Sequence, residues 1–348
     1  MRGKVVVGLS GGVDSSVAAY LLKKWGYDVV GATVLLYKEA KNPYACCSIG
    51  SAQLAKRVAI KLGLEFHELD YSEGFKRDII GYFISEYAKN RTPNPCLFCN
   101  RDYKIKALFD FADKIGAEFV ATGHYIKKGF YEGVELMMRG RDRKKDQSYF
   151  MFRIPKDWIP RLIFPVGDMT KEEVRKLALE VGLPTAKKPE SQDLCFVDGD
   201  YRNFLIERGL KPKPGKFIYK GKVVGTHKGT FYYTIGQRKG LNVAVGKRVY
   251  VKAFKNGDII LDDLEGVMAK GIKALDLNWH YFPGNEFVSD VQVRAGISTK
   301  RARVRVLKDY ALVEFQEPQF APTPGQGVAF YMGDYLIGGG TIEEVLYD

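Results

Sequence analysis

The stretch Gly8-Leu9-Ser10-Gly11-Gly12-Val13-Asp14-Ser15-Ser16 constrains this chain more than any other. Ahead of it, Lys4-Val5-Val6-Val7 is an apolar, β-branched run that predicts a buried parallel strand. Behind it, Val17, Ala18, Leu21, Leu22 and Trp25 recur at helical spacing, and the run closes at Gly26. A strand, a glycine-rich turn and a helix N-terminus together make an anion site. The first helical turn leaves backbone N–H groups unpaired, and the helix dipole favours negative charge there. Gly11 and Gly12 allow close approach to the backbone, while Ser10, Ser15 and Ser16 offer hydroxyl donors. The Gly-Lys-Ser/Thr ending of a Walker A loop is absent, and the one charged side chain is Asp14. A carboxylate among phosphates is expected where it holds magnesium, since it would otherwise repel the ligand.

The loop resembles the pyrophosphate loop of the ATP pyrophosphatases, which adenylate an oxygen and release pyrophosphate. Up to about Gly123, predicted strands and helices alternate. The strands are Asp28–Leu36, Glu65–Leu69 and Glu118–Thr122; the helices are Ser51–Leu62, Phe75–Lys89 and Ile105–Ile115. This alternation implies an α/β domain with a mostly parallel sheet, with ligands at the carboxyl ends of its strands. A further helix, Thr170 to Gly182, opens on a capping box of Thr170 and Glu173. Lys211-Pro212-Lys213-Pro214-Gly215 reads as a linker, and beyond it the pattern is β almost throughout. Three domains are expected: a catalytic domain over 1–210, a small β-rich domain over 211–274 and a β-barrel over 275–348.

The formal net charge of +13 exceeds what a nucleotide alone explains and points to a larger polyanion. Arg301, Arg303 and Arg305 share one strand face by period two, a basic stripe suited to RNA phosphates or to a solvated surface. No leader or membrane span is visible. Together with five unevenly spaced cysteines, that predicts a cytoplasmic protein with thiol chemistry rather than a disulfide framework. Arg91 to Asn100 carries two prolines and reads as a fixed extended loop bearing Cys96 and Cys99. Gly123-His124-Tyr125 follows a strand at the ligand edge. Arg139 to Lys145 is strongly basic, and Asp146 to Phe150 reads as a strand.

Taken together these motifs closely resemble the bacterial tRNA-specific 2-thiouridylases. The resemblance is carried by Gly8 to Ser15, Asn94-Pro95 with Cys99-Asn100, Thr122 to Tyr125, Lys145 to Phe150, Cys195-Phe196, Gly236 to Gly240, and Thr323-Pro324-Gly325-Gln326. It covers nearly the whole chain and implies ATP-dependent replacement of the 2-oxygen of the wobble uridine by sulfur, in tRNAs for Lys, Glu and Gln. By the same resemblance Gly8, Leu9, Ser10, Gly11, Gly12, Val13, Asp14, Ser15, Val34 and Gly123 bind ATP, with magnesium. Asn94, Pro95 and Cys96 face the target base. His124, Lys145, Asp146, Gln147, Arg294, Ala295 and Gln326 contact tRNA, although Ala295 stands where an aromatic residue is usual.

The resemblance also assigns the sulfur chemistry. Cys195 carries a persulfide received from a sulfur-relay protein or a cysteine desulfurase, and Cys99 is its partner nucleophile. Cys96 stands where aspartate is common, which leaves an iron–sulfur cluster on Cys96, Cys99 and Cys195 as the alternative. An amidating ATP pyrophosphatase is a more distant one. Cys46 and Cys47 receive no role.

Overall fold

A computed structural model describes residues 2–40, 48–189 and 194–347; Cys46 and Cys47 lie outside the described residues. The chain divides into two compact units. The first comprises Met1–Ile80, Pro95–Gly199 and Asp334–Ile337; the second comprises Gly81–Asn94, Asp200–Gly333 and Gly338–Asp348.

In chain order the first elements are β1 (Lys4–Gly8), α1 (Val13–Lys24), β2 (Asp28–Leu35), α2 (Ile49–Leu62), β3 (Glu65–Asp70) and α3 (Ser72–Phe75). Then come α4 (Gly81–Ala88, which belongs to the second unit), α5 (Pro95–Cys99), α6 (Lys106–Lys114) and β4 (Phe119–Ala121). The rest of the first unit supplies β5 (Ile126–Tyr131), β6 (Val134–Arg139), β7 (Leu162–Ile163) and α7 (Lys171–Glu180). Its sheet has the order β3-β2-β1-β4-β7 with every neighbour parallel. Val5, Val6 and Val7 are fully buried at its centre, and burying each stabilises the sheet by about 1.5–3 kcal/mol. In α1, Val17, Ala18, Leu21 and Leu22 face the core as their spacing predicts, whereas Trp25 is 39% exposed as the helix C-cap. The capping box of α7 is present in both directions, Glu173 N–H to Thr170 Oγ1 at 3.2 Å and Thr170 N–H to Glu173 Oε2 at 2.7 Å.

Three local expectations are corrected. The extended loop ends at Asn94, because Pro95 opens α5; proline suits a first helical turn, where its missing N–H has no partner to lose. Helical structure then runs on through a π segment, Asn100–Ile105, into α6. The helix expected over 75–89 is likewise interrupted, with a π segment at Lys76–Ile80. The run after Asp146 is a 3₁₀ turn, Ser148–Met151, rather than a strand. Asp146 nucleates it by accepting from Ser148 N–H at 3.2 Å and Ser148 Oγ at 2.8 Å.

The second unit adds α8 (Tyr201–Glu207), β8 (Gly215–Tyr219), β9 (Lys222–His227), β10 (Tyr250–Lys255) and β11 (Asp258–Asp262), the strands ordered β10-β11-β8-β9. Phe217, Val251, Ile259 and Leu261 form its core. Then β12 (Met268–Trp279), β13 (Glu286–Gln292), β14 (Lys300–Leu307), β15 (Tyr310–Phe320), β16 (Gly327–Met332) and β17 (Tyr335–Leu346) follow. They pair in the order β12-β15-β14-β13-β16-β17, and β17 returns to β12 and closes a barrel. The barrel begins at Met268 rather than 275, because a register shift between Ala269 and Gly271 breaks the period-two pattern there. No helix among the described residues is long and apolar enough to cross a membrane.

Candidate active site

In the sheet of the first unit, β1 has β2 on one side and β4 on the other, so the chain reverses its direction of growth between β1 and β4. A crevice opens at the carboxyl ends of the strands flanking such a point. Here the turn Leu9–Gly12 after β1 faces the turn Thr122–His124 after β4, and they line a cavity of about 220 Å³. Gly8, Ser10, Asp14, Ser15, Val34 and Gly123 line it, joined by His124 and Gln147, which the resemblance assigned to tRNA.

Two glycines make the crevice possible. Gly11 has φ +65°, and a Cβ there would overlap the Ser51 carbonyl oxygen. A Cβ on Gly123 would lie 2.5 Å from Ser15 N, so the two turns can approach only with hydrogen at that position. Gly12 is the N-cap of α1 and no side chain caps the helix, which leaves its first N–H groups available to an anion. The serines serve the loop more than the ligand. Ser15 Oγ donates to Gly12 O at 3.1 Å and accepts from Ser10 N–H at 3.2 Å, and Ser16 Oγ donates to Gly12 O at 2.8 Å. The expected extra hydroxyl donors are therefore spent on turn geometry.

The loop lacks a lysine, yet the site has several. Lys171, the first residue of α7, puts Nζ 2.7 and 2.8 Å from the two Asp14 carboxylate oxygens. Tyr125 Oη donates to the same carboxylate at 2.6 Å. Lys188, buried, donates to Gly11 O at 3.0 Å and Ser51 Oγ at 3.2 Å. Lys171, Lys188 and Lys145 line a second cavity against Ser10, Gly12 and Asp14. None of these lysines lies near the loop in sequence. The Thr170–Glu173 capping box marked a helix start but not what that start points at.

His124 Nδ1 lies 2.8 Å from Thr122 Oγ1, and desolvation, reinforced by the nearby Lys104 charge, holds its pKa down at about 4. The imidazole is neutral at pH 7. Asp146 is turned inward: its carboxylate takes Arg139 at 3.0 Å and Gly140 N–H at 3.0 Å besides Ser148. Gln147 Oε1 accepts from Tyr125 N–H at 3.1 Å.

Cys99 is buried in α5, while Cys96 and Cys195 are half-buried. Phe196 packs edge-on against Phe75 at 5.8 Å, and Phe75 packs against Tyr103 at 5.9 Å. The segment of Cys195 and the helical run that follows Cys99 thus share one aromatic anchor. Among the described residues no group of three or more His, Cys, Asp or Glu side chains is placed to hold a metal ion, so the cluster on Cys96, Cys99 and Cys195 gains no support. Magnesium is commonly held by one or two carboxylates together with substrate phosphates, and Asp14 would have to share with it the oxygens that now meet Lys171 and Tyr125.

In the second unit Arg294 is exposed at the rim of a separate cavity with Gln237 and Thr323, and Ala295 beside it is half-buried. Gln326 is buried. The arginine stripe on β14 is neutralised by its neighbours. Arg301 pairs with Asp290 at 3.6 Å, Arg303 with Glu286, Arg305 with Glu314 at 2.8 Å, and Lys300 with Glu317 at 2.9 Å. It is a charge-balanced, solvated face rather than a free basic track.

A doubly wound parallel sheet with a capless, glycine-rich helix start at its switch point defines a nucleotide-binding α/β enzyme domain of the ATP pyrophosphatase type. Comparison with known proteins makes this specific. Residues 3–199 match the family described as tRNA methyl transferase HUP domain, 202–261 the tRNA methyl transferase PRC-barrel domain, and 269–342 the Aminomethyltransferase beta-barrel domain. The tRNA-specific 2-thiouridylase MnmA of Carboxydothermus hydrogenoformans is 45% identical, with 99% of each chain covered. That of Thermus thermophilus is also 45% identical, covering 99% of this chain and 96% of its own. The chain belongs to the tRNA-specific 2-thiouridylase family. Among solved structures, a 4-thiouridine synthetase–RNA complex with bound ATP is similar at 20% identity and a TM-score of 0.39, over 56% of this chain and 45% of its own.

Proposed function

We propose that this protein uses ATP to replace the 2-oxygen of the wobble uridine in tRNA by sulfur. The observation that carries the reading is the phosphate cradle Gly8–Ser15 at the switch point, in a chain whose full-length relatives bear the name thiouridylase. The family profiles speak of methyl transfer. A chain that carries a nucleotide loop and two cysteine-bearing segments suits sulfur chemistry instead.

The N–H groups at the start of α1 hold the polyphosphate, Val34 lies against the adenine, and Lys171 and Lys188 neutralise charge as pyrophosphate leaves. Magnesium held by Asp14 would supply further neutralisation of the phosphates. The uracil 2-oxygen attacks the α-phosphorus, pyrophosphate departs, and the oxygen becomes part of an AMP leaving group. The terminal sulfur of a Cys195 persulfide then attacks C2 and AMP leaves. The Cys99 thiolate attacks Cys195 Sγ, which frees the thiolated base and leaves a Cys99–Cys195 disulfide for an external dithiol to reduce. The persulfide comes from a sulfur-relay protein or a cysteine desulfurase. The substrates are the tRNAs for Lys, Glu and Gln.

The test is mass spectrometry of tRNA nucleosides after incubation with ATP and a persulfide donor. Wild-type protein should yield 2-thiouridine. Cys99→Ser and Cys195→Ser should each yield none while still adenylating the uridine and releasing pyrophosphate. Absence of thiolated uridine from wild-type reactions would overturn the reading.

A further inference from the structure

Gln326 stands in the Thr323-Pro324-Gly325-Gln326 turn of the second unit, and resemblance alone would have its side chain reach RNA. Its surroundings give it other work. The side chain is 6% exposed, and Nε2 donates to Thr92 O at 2.9 Å and Pro93 O at 3.4 Å. Both partners are carbonyls, so only the amide nitrogen fits there, and both of its hydrogens are used. Pro324 O takes the Thr92 N–H at 3.0 Å. The turn is itself fixed to β17, through Gly325 N–H to Ile342 O at 2.9 Å and Ile342 N–H to Gln326 O at 2.8 Å.

One residue earlier, Arg91 is secured to the same strand. Its Nη1 meets Glu343 at 2.7 Å and its Nε meets Glu86 at 2.6 Å, and Nη2 donates to Ile342 O at 3.3 Å. Arg91, Thr92 and Pro93 thus form a strap clasped along its length, and the next residues are Asn94, Pro95 and Cys96. A short strap held at successive positions has little freedom left to pass on to the residue that follows it.

We propose that Gln326 is a positioning residue: it clasps the Arg91–Pro93 strap, and so fixes where Asn94, the residue that ends the strap, meets the target base. This rests on the reading of Asn94–Cys96 as the base-facing segment. Without the clasp the strap drifts, and a displacement of about 1 Å at a reacting centre costs on the order of a hundredfold in rate.

Gln326→Met keeps the bulk and removes the donor. Expected are a ten- to hundredfold fall in kcat at saturating tRNA, a tRNA Kd within twofold of wild type, unchanged ATP affinity, and faster amide exchange confined to the 91–98 peptide. Gly325→Ala leaves the Gln326 side chain in place but strains a residue at φ +92° whose Cβ would sit 3.0 Å from Thr92 O, and it should reproduce the pattern. That second variant carries the test if the first fails to fold. A weakened tRNA Kd with full kcat at saturation would mean a direct RNA contact and overturn the proposal, as would normal kcat and exchange in both variants. A wild-type protein that makes no thiouridine would instead remove the thiolation reading, and the exchange result would still report on the clasp.

Discussion

Replacing Gly123 by alanine tests the crevice most directly, because the consequence can be worked from distances. The new Cβ would lie 2.5 Å from Ser15 N, 2.7 Å from Ser15 Cα and 2.7 Å from the Asp14 carbonyl carbon, where ordinary contacts begin at 3.4 Å. All three atoms are main chain in the first turn of α1, so no side chain can rotate away. The turns must part by about 0.9 Å, the difference between 3.4 and 2.5 Å. Overpacking of this kind destabilises by about 1–3 kcal/mol, which lowers the midpoint of the first unit by a few degrees. The effect on chemistry should be larger, since the helix start that holds the phosphates is what moves. AMP formation should fall about a hundredfold and ATP affinity at least tenfold, with tRNA affinity unchanged. Gly81→Ala is the control, since a Cβ there meets nothing within 4 Å. Turnover assays, nucleotide titration and thermal denaturation of both variants suffice. Gly123→Ala with wild-type ATP affinity and turnover would refute the geometry.

Lys171→Ala should weaken ATP and pyrophosphate binding at least tenfold while leaving AMP binding within twofold, measured by calorimetry, because the side chain serves the loop carboxylate and the phosphates beyond the α position. His124 predicts a pH effect with a definite sign. Its folded pKa of about 4 lies below the ordinary histidine value of 6.5, so the unfolded chain binds more protons between these values, and stability is complete above about 6.5 and falls as pH drops towards 4. The contribution is on the order of 3 kcal/mol, and denaturant titrations of His124→Asn should show it gone. Arg303→Gln should change tRNA affinity less than twofold, because its charge is already met by Glu286, whereas Arg294→Gln should weaken binding more and reduce its salt dependence; filter binding across a salt series distinguishes them.

The sheet, its switch-point loop and the capped helix α7 were legible because each rests on local rules: apolar runs, glycine positions and a capping box. The cysteine helix was misread for a local reason too, since proline ends an extended segment as readily as it opens a helix, and Pro93 and Pro95 do one each. The two π segments follow from no residue pattern in the stretches that hold them. What local reading could not reach were pairings across the chain. Acid by acid, the β14 arginines were answered by residues on β13 and β15 that only the register brings opposite them. Asp146 and Gln326, which the resemblance assigns to tRNA, likewise have partners that only folding supplies.

Lys171 reaches Asp14 across 157 residues of sequence, and Lys188 reaches Gly11 across 177. The cradle therefore has its backbone from the first turn of the chain to be synthesised and its cations from near the end of the domain. A fragment cut short of α7 can pair β1, β2, β3 and β4, yet its Asp14 carboxylate would lack the lysine that balances its charge where phosphate must bind. Competence for nucleotide arrives with the last part of the domain to emerge, and contacts of such long sequence separation are the slow ones to form. Nucleotide that engages those lysines stabilises the fold by mass action, with the effect concentrated on the 171–189 segment. Substrate in this arrangement acts as a late folding partner for the very residues that will bind it.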